Sequence, residues 1–170
     1  AMTRGLLNDD IKYLETYWSR FENVWFHGDY VYVDKDNLWY MRGRTDDVIN
    51  ISGHRISAAE IEHAVISHKK ISDAASIAIP DDITGEAIVV FFVADDKSET
   101  GLESEISDYV SQKIGKIARP KLVFQLSDLP KTRTGKIMRL LLKSKLLGKE
   151  LGDLSSLENP NILDVIPKLD

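Results

Sequence analysis

The run Ala87 to Ala94 is the longest uninterrupted apolar stretch in the chain, and it limits the fold more than any other feature. A helix that spans a bilayer needs about 20 apolar residues, so this run is far too short to cross a membrane. It is rich in β-branched and aromatic residues, as is Ala74 to Ile79 before it, and Pro80-Asp81-Asp82-Ile83-Thr84-Gly85 separates the two. Apolar, β-favouring runs on either side of a turn-rich segment read as a strand pair.

The segments around this pair extend the pattern. Ile49 to Ile56 reads as strand, turn and strand, broken at Gly53. Ser57-Ala58-Ala59-Glu60 has capping-box spacing and opens a helix to about His68, burying Ile61, Ala64, Val65 and either His68 or Ile66. Glu103 to Ile117 repeats apolar residues at helical spacing, and Pro120 ends it. Leu122 to Leu126 reads as a strand. Ile137 to Leu147 reads as a third helix, stopped by Gly148 as a glycine stops helices. After Gly152 the tail is polar, with Asn159-Pro160 a turn or helix start. The order from Ile49 is strand, helix, strand, strand, helix, strand, helix, which specifies a compact α+β domain of roughly 100 residues.

The N-terminal part is different. Tyr13, Leu14, Tyr17, Trp18 and Phe21 have helix-compatible spacing without apolar partners nearby, and Tyr30 to Val33 with Leu38 to Met41 form a hairpin. A lone hairpin is marginal in water, so everything before about Arg44 reads as the end of another domain. With 170 residues and 43% hydrophobic content the chain has material for one ordinary core.

Composition removes several function classes. There is no cysteine, which excludes disulfides, thiolate catalysis and cysteine-built metal sites. His63 and His68 are poorly spaced for one helix face, and His27 and His54 lie in other segments, so a histidine-built metal site is not expected. Net charge is −5, from 22 basic and 27 acidic residues, which argues against nucleic acid and anionic membranes as partners. A cytoplasmic location is expected. Ala1 ahead of Met2 reads as a remnant of a removed tag.

One basic cluster runs against this acidic balance. Leu129-Pro130-Lys131-Thr132-Arg133-Thr134-Gly135-Lys136 places three cations and a glycine on a short loop ahead of the third helix. A nucleotide-binding P-loop needs a glycine five residues before Gly135 and Ser or Thr after the lysine, but Pro130 and Ile137 stand there. Two readings remain from the loop alone: a lysine held beside an anion, or a solvated basic face with Gly135 as turn punctuation.

Gly28-Asp29, Gly43-Arg44-Thr45-Asp46-Asp47, Gly53-His54-Arg55 and the Lys136 loop occur in the order and spacing of four family motifs. Together they make the chain resemble the AMP-forming acyl-CoA synthetases of the adenylate-forming superfamily, most closely the acetyl-CoA synthetases. The resemblance covers nearly the whole chain, including Leu151 to Leu157. It implies the small, mixed-sheet mobile C-terminal domain of such an enzyme, residues 46–170 with a hinge at Asp46, preceded in residues 1–45 by the hairpin-containing end of the large N-terminal domain. The implied reaction joins ATP and a carboxylate to give acyl-AMP and pyrophosphate, then transfers the acyl group to CoA.

The resemblance also assigns roles. It implies Asp29 for the ribose hydroxyls of ATP or AMP, although His27 stands where the family has Thr or Ser, and Arg44 as a further nucleotide-binding residue. Gly53 matches the glycine of the CoA tunnel, Arg55 a residue near phosphate, and Gly-His-Arg favours an acetyl or propionyl substrate. Lys136 matches the catalytic lysine of adenylation, with Gly135 as loop support. Ile66, His68 and Ile71 match positions where relatives bind Mg2+, largely through backbone oxygens. Ser111 stands where acetyl-specific relatives have an arginine for a CoA phosphate, with Lys113 or Lys121 as substitutes. The implied partners are ATP, CoA, a short-chain carboxylate and a large adenylating domain in cis or trans, and the isolated chain is expected to be inactive. The competing reading is a stand-alone, non-catalytic module from a split gene that binds a nucleotide, CoA or a partner.

Overall fold

A computed structural model describes residues 2–45, 47–96 and 98–169, with Arg42 described through its backbone alone. The expected hinge residue Asp46 lies outside the described residues. The chain divides into two compact units, residues 1–46 and 47–170.

The first unit begins with helix α1 (Asp10–Tyr17). Asp9 caps it by accepting from the Lys12 amide at 3.1 Å, as a short acidic side chain does at a helix N-terminus. Strands β1 (Asp29–Val33) and β2 (Trp39–Arg44) pair antiparallel. In the turn between them, the Asp34 carboxylate accepts from the amides of Asp36 and Leu38 and from the Tyr40 hydroxyl. These bonds hold its carboxyl below the usual range, the Leu38 amide contributing most. The hairpin is longer than the apolar pattern suggested, and the extension adds Asp29 and Arg44 at its open end. Among the described residues of this unit only Gly28 is buried, while Leu38, Trp39 and Met41 are 56%, 73% and 63% exposed.

The second unit contains β3 (Val48–Ile51), β4 (His54–Ser57), α2 (Ala58–Ile66), β5 (Ile71–Asp81), β6 (Gly85–Ala94), α3 (Glu103–Lys113), β7 (Leu122–Gln125) and α4 (Arg139–Leu146). The strands lie in the order β4-β3-β6-β5, and β7 runs parallel to β6, Val89 to Phe92 opposite Leu122 to Gln125. The other pairings are antiparallel, so the sheet is mixed, as expected. Successive residues of a strand face opposite sides, and β6 uses both sides. Ile88, Val90, Phe92 and Ala94 pack with Ile61 and Val65 of α2 and Ile106 and Val110 of α3. Ala87, Val89, Phe91 and Val93 pack with Leu142 and Leu146 of α4 and Ile166 of the tail.

Several expectations need correction. The helix expected from Glu103 to Ile117 ends at Lys113, and a 3-10 turn, Lys116–Ala118, follows Gly115. The third helix starts at Arg139 rather than Ile137, because Ile137 is bridged to Lys131 across the preceding loop. Ser57 is the N-cap residue of α2 but makes no side-chain capping bond. The amide of Ala58, the first residue of the helix, donates to the Asp47 carbonyl at 3.0 Å. His68 is buried and Ile66 is 45% exposed, which settles the alternative left open for that helix. The tail does turn into a 3-10 helix at Pro160–Asp164.

The turn from β5 to β6 is built on one carboxylate. Asp81 Oδ1 accepts from the amides of Ile83 and Thr84 and from the Thr84 hydroxyl, and Oδ2 accepts from Lys121 Nζ. Lys121 foremost, then these donors, depress the Asp81 carboxyl below its ordinary 3.8. A depressed folded-state value gives stability that is present above the unfolded value and lost as pH falls towards the folded one. Replacing Asp81 by Asn should therefore lower the urea midpoint at pH 7, with the gap to the parent narrowing below about pH 4. A gap independent of pH would refute this account.

Candidate functional site

The loop that carries Lys136 is a closed turn. The Thr132 amide donates to the Lys136 carbonyl at 2.9 Å, the Gly135 amide to the Thr132 carbonyl at 2.8 Å, and the Lys136 amide to Thr132 Oγ1 at 3.1 Å. Gly135 adopts φ +80°, and nothing lies within 4 Å of where a side chain would begin. Backbone conformation, rather than lack of space, therefore requires glycine there. At the root of the loop, the Met138 amide donates to the Pro130 carbonyl at 2.8 Å. Lys136 is exposed, and among the described residues its ammonium has no partner.

The tail braces this turn. Glu158 N donates to the Lys131 carbonyl, Asn159 Oδ1 accepts from the Lys131 amide at 3.2 Å, and Asn159 Nδ2 donates to Asp128 Oδ2 and the Leu129 carbonyl. Lys131 is not a free cation, because its ammonium pairs with Asp73 Oδ2 of β5 at 2.7 Å and Asp128 Oδ1 at 3.4 Å. Asp73 above all raises the Lys131 pKa. Two of the expected three cations of the loop thus differ in kind: Lys131 fastens it and Lys136 is presented by it.

Behind the loop a buried carboxylate meets a half-buried guanidinium. Glu62 of α2 is 7% exposed. Its Oε1 accepts from Arg139 Nε at 2.7 Å and from the Ser76 amide at 2.8 Å, and its Oε2 accepts from Arg139 Nη2 at 2.6 Å. Asp47 Oδ2 is 4.0 Å from Arg139 Nη1. Glu62 foremost raises the arginine's pKa against the effect of burial. Removing one member of a fully buried pair typically costs about 3–5 kcal/mol, and the cost is smaller here because the Arg139 side chain is 29% exposed.

Gly53 and Arg55 lie elsewhere. Ser52 and Gly53 form the two-residue tip of the β3–β4 hairpin with φ +49° and +86°, the positive angles that a type I′ turn requires. Nothing lies within 4 Å of where a Gly53 side chain would begin, and Arg55 is exposed. This hairpin closes one edge of the sheet, whereas Lys131 fastens the Lys136 loop to β5 at the other. The structure does not bring Gly53 and Lys136 together.

In the first unit Asp29 and Arg44 do come together. They are register partners across the hairpin, with Arg44 Nη1 3.8 Å from Asp29 Oδ1, and His27 Nδ1 contacts Asp29 Oδ2. Thr45 donates through its amide, at 2.8 Å, and its hydroxyl to the Gly28 carbonyl. A cleft of about 240 Å³ is lined by Tyr17, Arg20, His27, Gly28, Arg44 and Thr45. A side chain at Gly28 would begin 3.1 Å from Arg44 Nη2, so the glycine leaves room for the guanidinium.

The set Ile66, His68 and Ile71 does not form a side-chain metal site. Isoleucine offers no donor atom, and the buried His68 ring has Nε2 3.2 Å from Glu105 and stands edge-on to Tyr109 at 4.8 Å. The His68 carbonyl already accepts from the Ile71 amide. Among the described residues no three His, Asp or Glu side chains could share a metal ion. Ser111 offers no cation, Lys113 lies over the Tyr109 ring and Lys121 is tied to Asp81. Among the described residues no helix is long and apolar enough to cross a membrane.

Sequence reading missed Glu62, Arg139 and Asn159. A glutamate between Ile61 and the buried Ala64 and Val65 could have signalled a partner, as could an arginine at a helix start, where the dipole disfavours a cation.

Comparison with known proteins bears on the family and the fold. Residues 60–136 match the family model for the AMP-binding enzyme C-terminal domain. The chain is 39% identical over 173 residues to an acetyl-coenzyme A synthetase of Methanothrix thermoacetophila, covering 98% of this chain and 26% of the relative. It is 43% identical over 171 residues to that of Mycolicibacterium smegmatis, covering 98% and 18%. The chain thus spans about a quarter or less of the length of these relatives. Its fold matches ATP-bound MatB from Rhodopseudomonas palustris with a TM-score of 0.69 at 22% identity, over 83% of this chain and 27% of that one. By these similarities the chain belongs with the adenylate-forming, AMP-binding enzymes, and residues 60–136 are the C-terminal domain of that family.

Proposed function

We propose that this chain is the part of an AMP-forming acyl-CoA synthetase that serves both of its half-reactions, with a short-chain acid, acetate or propionate, as substrate. The observation that carries this reading is the exposed Lys136 ammonium, without a partner among the described residues, on a braced loop at the opposite sheet edge from Gly53. In the first half-reaction a carboxylate oxygen attacks the α-phosphorus of ATP and pyrophosphate leaves. Two unit negative charges 4 Å apart repel by about 4 kcal/mol at an effective dielectric of 20. A cation held between them offsets that repulsion and the charge gathering on the phosphoryl oxygens. Lys136 supplies it, and Gly135 lets the loop make its turn.

In the second half-reaction the CoA thiol attacks the acyl carbonyl and AMP leaves. Gly53 lines the passage for the pantetheine arm and Arg55 meets a phosphate. Asp29 accepts from the ribose hydroxyls through its two oxygens, and Arg44, beside it, holds the nucleotide. Magnesium acts with ATP through oxygen donors. Of Ile66, His68 and Ile71 only the backbone carbonyls are suitable.

A body that presents Lys136 from one edge and Gly53 from the other needs to turn between steps, and Asp46 is the pivot we assign. Its neighbours support this. Thr45 is bonded to Gly28 within the first unit, and Asp47 to Ala58 within the second, so residue 46 alone separates the two anchors. The first unit, with hardly a buried residue, is the end of a large adenylating domain, supplied in cis or in trans. We place the complete enzyme in the cytoplasm.

In a complete enzyme carrying this region, Lys136→Ala should abolish carboxylate-dependent ATP–pyrophosphate exchange and spare thioester formation from supplied acyl-AMP. Equal loss of both would reject the role. Gly53→Leu should do the reverse, slowing thioester formation and raising the KM for CoA while exchange continues. Unchanged CoA kinetics in that variant would remove Gly53 from the passage.

A further inference from the structure

We propose that Glu62 is a positioning residue for Lys136: through its two-pronged bond to Arg139 it fixes, relative to the sheet, the loop whose lysine serves adenylation. The inference rests on the role given above to Lys136.

The loop is internally rigid, because Thr132 closes on Gly135 and Lys136 and Met138 closes on Pro130. Such a unit moves as one piece about its roots. One root is Lys131, fastened to Asp73. The other is Arg139, three residues beyond Lys136 and the first residue of α4. The helix dipole disfavours a cation at that position, so Arg139 is not there to stabilise the helix. It is there because Glu62 holds it, and a guanidinium fork bonded through Nε and Nη2 cannot swing around the carboxylate as a lysine ammonium can.

Stability alone gives little reason to keep this pair. Apolar residues of similar volume often replace a buried ion pair without loss, and Glu62 sits beside Ile61, Ala64 and Val65 on the packed side of α2. What apolar residues cannot replace is direction. Glu62 Oε1 also accepts from the Ser76 amide of β5, so the carboxylate is registered to the sheet before it engages Arg139. Asp47, the first residue after the proposed pivot, approaches the third nitrogen of the same guanidinium. One arginine thus joins the start of the second unit to the root of the Lys136 loop.

The test uses a complete enzyme carrying this region, with Glu62→Gln/Arg139→Met, which keeps an acceptor for the Ser76 amide, and, separately, Arg139→Lys. The first keeps the packing and the second keeps the charge, and both lose the fork. A displacement of about 1 Å can cost about a hundredfold in rate. The expected result is therefore a fall of at least about tenfold in kcat for pyrophosphate exchange, with KM for ATP, thioester formation from supplied acyl-AMP and melting temperature close to the parent. Parallel loss of both half-reactions, or exchange at the parental rate in a folded variant, would overturn the proposal. Lys136→Ala runs alongside. If that variant adenylates normally, the role of Lys136 fails, and this inference with it. If it does not, but the fork variants do, only the inference fails.

Discussion

Strand β6 is apolar on both faces, and the rest of the second unit is arranged to cover it. Ile88, Val90 and Phe92 require one helical layer and Val89, Phe91 and Val93 another. Helices α2 and α3 meet the first requirement, and α4 with the tail meets the second. Because α4 must seat Leu142 and Leu146 against β6, the chain entering α4 is placed by core packing, and that entering chain is the Lys136 loop. Close-packed interiors resist gradual deformation, so the loop inherits its rigidity from the core beneath it.

Polar bonds then do what packing cannot. β5 lies at the end of the sheet order, where an outward amide would otherwise lack a partner. The Ser76 amide is taken by Glu62, and the Ser76 hydroxyl donates to the Ala58 carbonyl at 3.0 Å. Ala74, Ser76 and Ala78 are small, which lets α2 approach closely enough for both bonds. The same edge supplies Asp73 to Lys131. The edge strand is therefore covered, and the covering groups are those that hold the Lys136 loop.

The sheet and helices were legible in the sequence because period-2 and period-3.6 apolar patterns record burial directly. Helix ends were less so. Ile117 belongs to the apolar repeat after Ile106, Val110 and Ile114, yet it lies in a 3-10 turn and is 41% exposed. Periodicity cannot register the backbone angles that end a helix before it. The capping box at Ser57 shows the same limit: the spacing matches, yet the side chain makes no capping bond. Of the candidate site, Lys136 is singled out by the order and spacing of the motifs and the structure places it, exposed, on a closed turn, whereas Glu62, Arg139 and Asn159 were not legible. Their partners lie 77, 77 and 31 residues away, and single-sequence patterns carry no record of such pairs.

The placement of Gly53 and Lys136 at opposite sheet edges bears on the pivot proposed at residue 46. If both groups lay on one edge, serving two half-reactions would require a local rearrangement of loops, with the Lys136 turn opened each time. That turn is closed by bonds to Thr132, rooted by Lys131 and Arg139, and braced by Asn159, and local opening would have to break several of them together. Turning the whole body breaks none of them. With Thr45 anchored on one side and Asp47 on the other, the proposed pivot assigns the change to the one residue between, as hinges at element ends do. The rigidity that holds Lys136 in place and the proposed mobility of the body are therefore compatible: the stiffer the unit beyond Asp47, the more any motion is confined to residue 46.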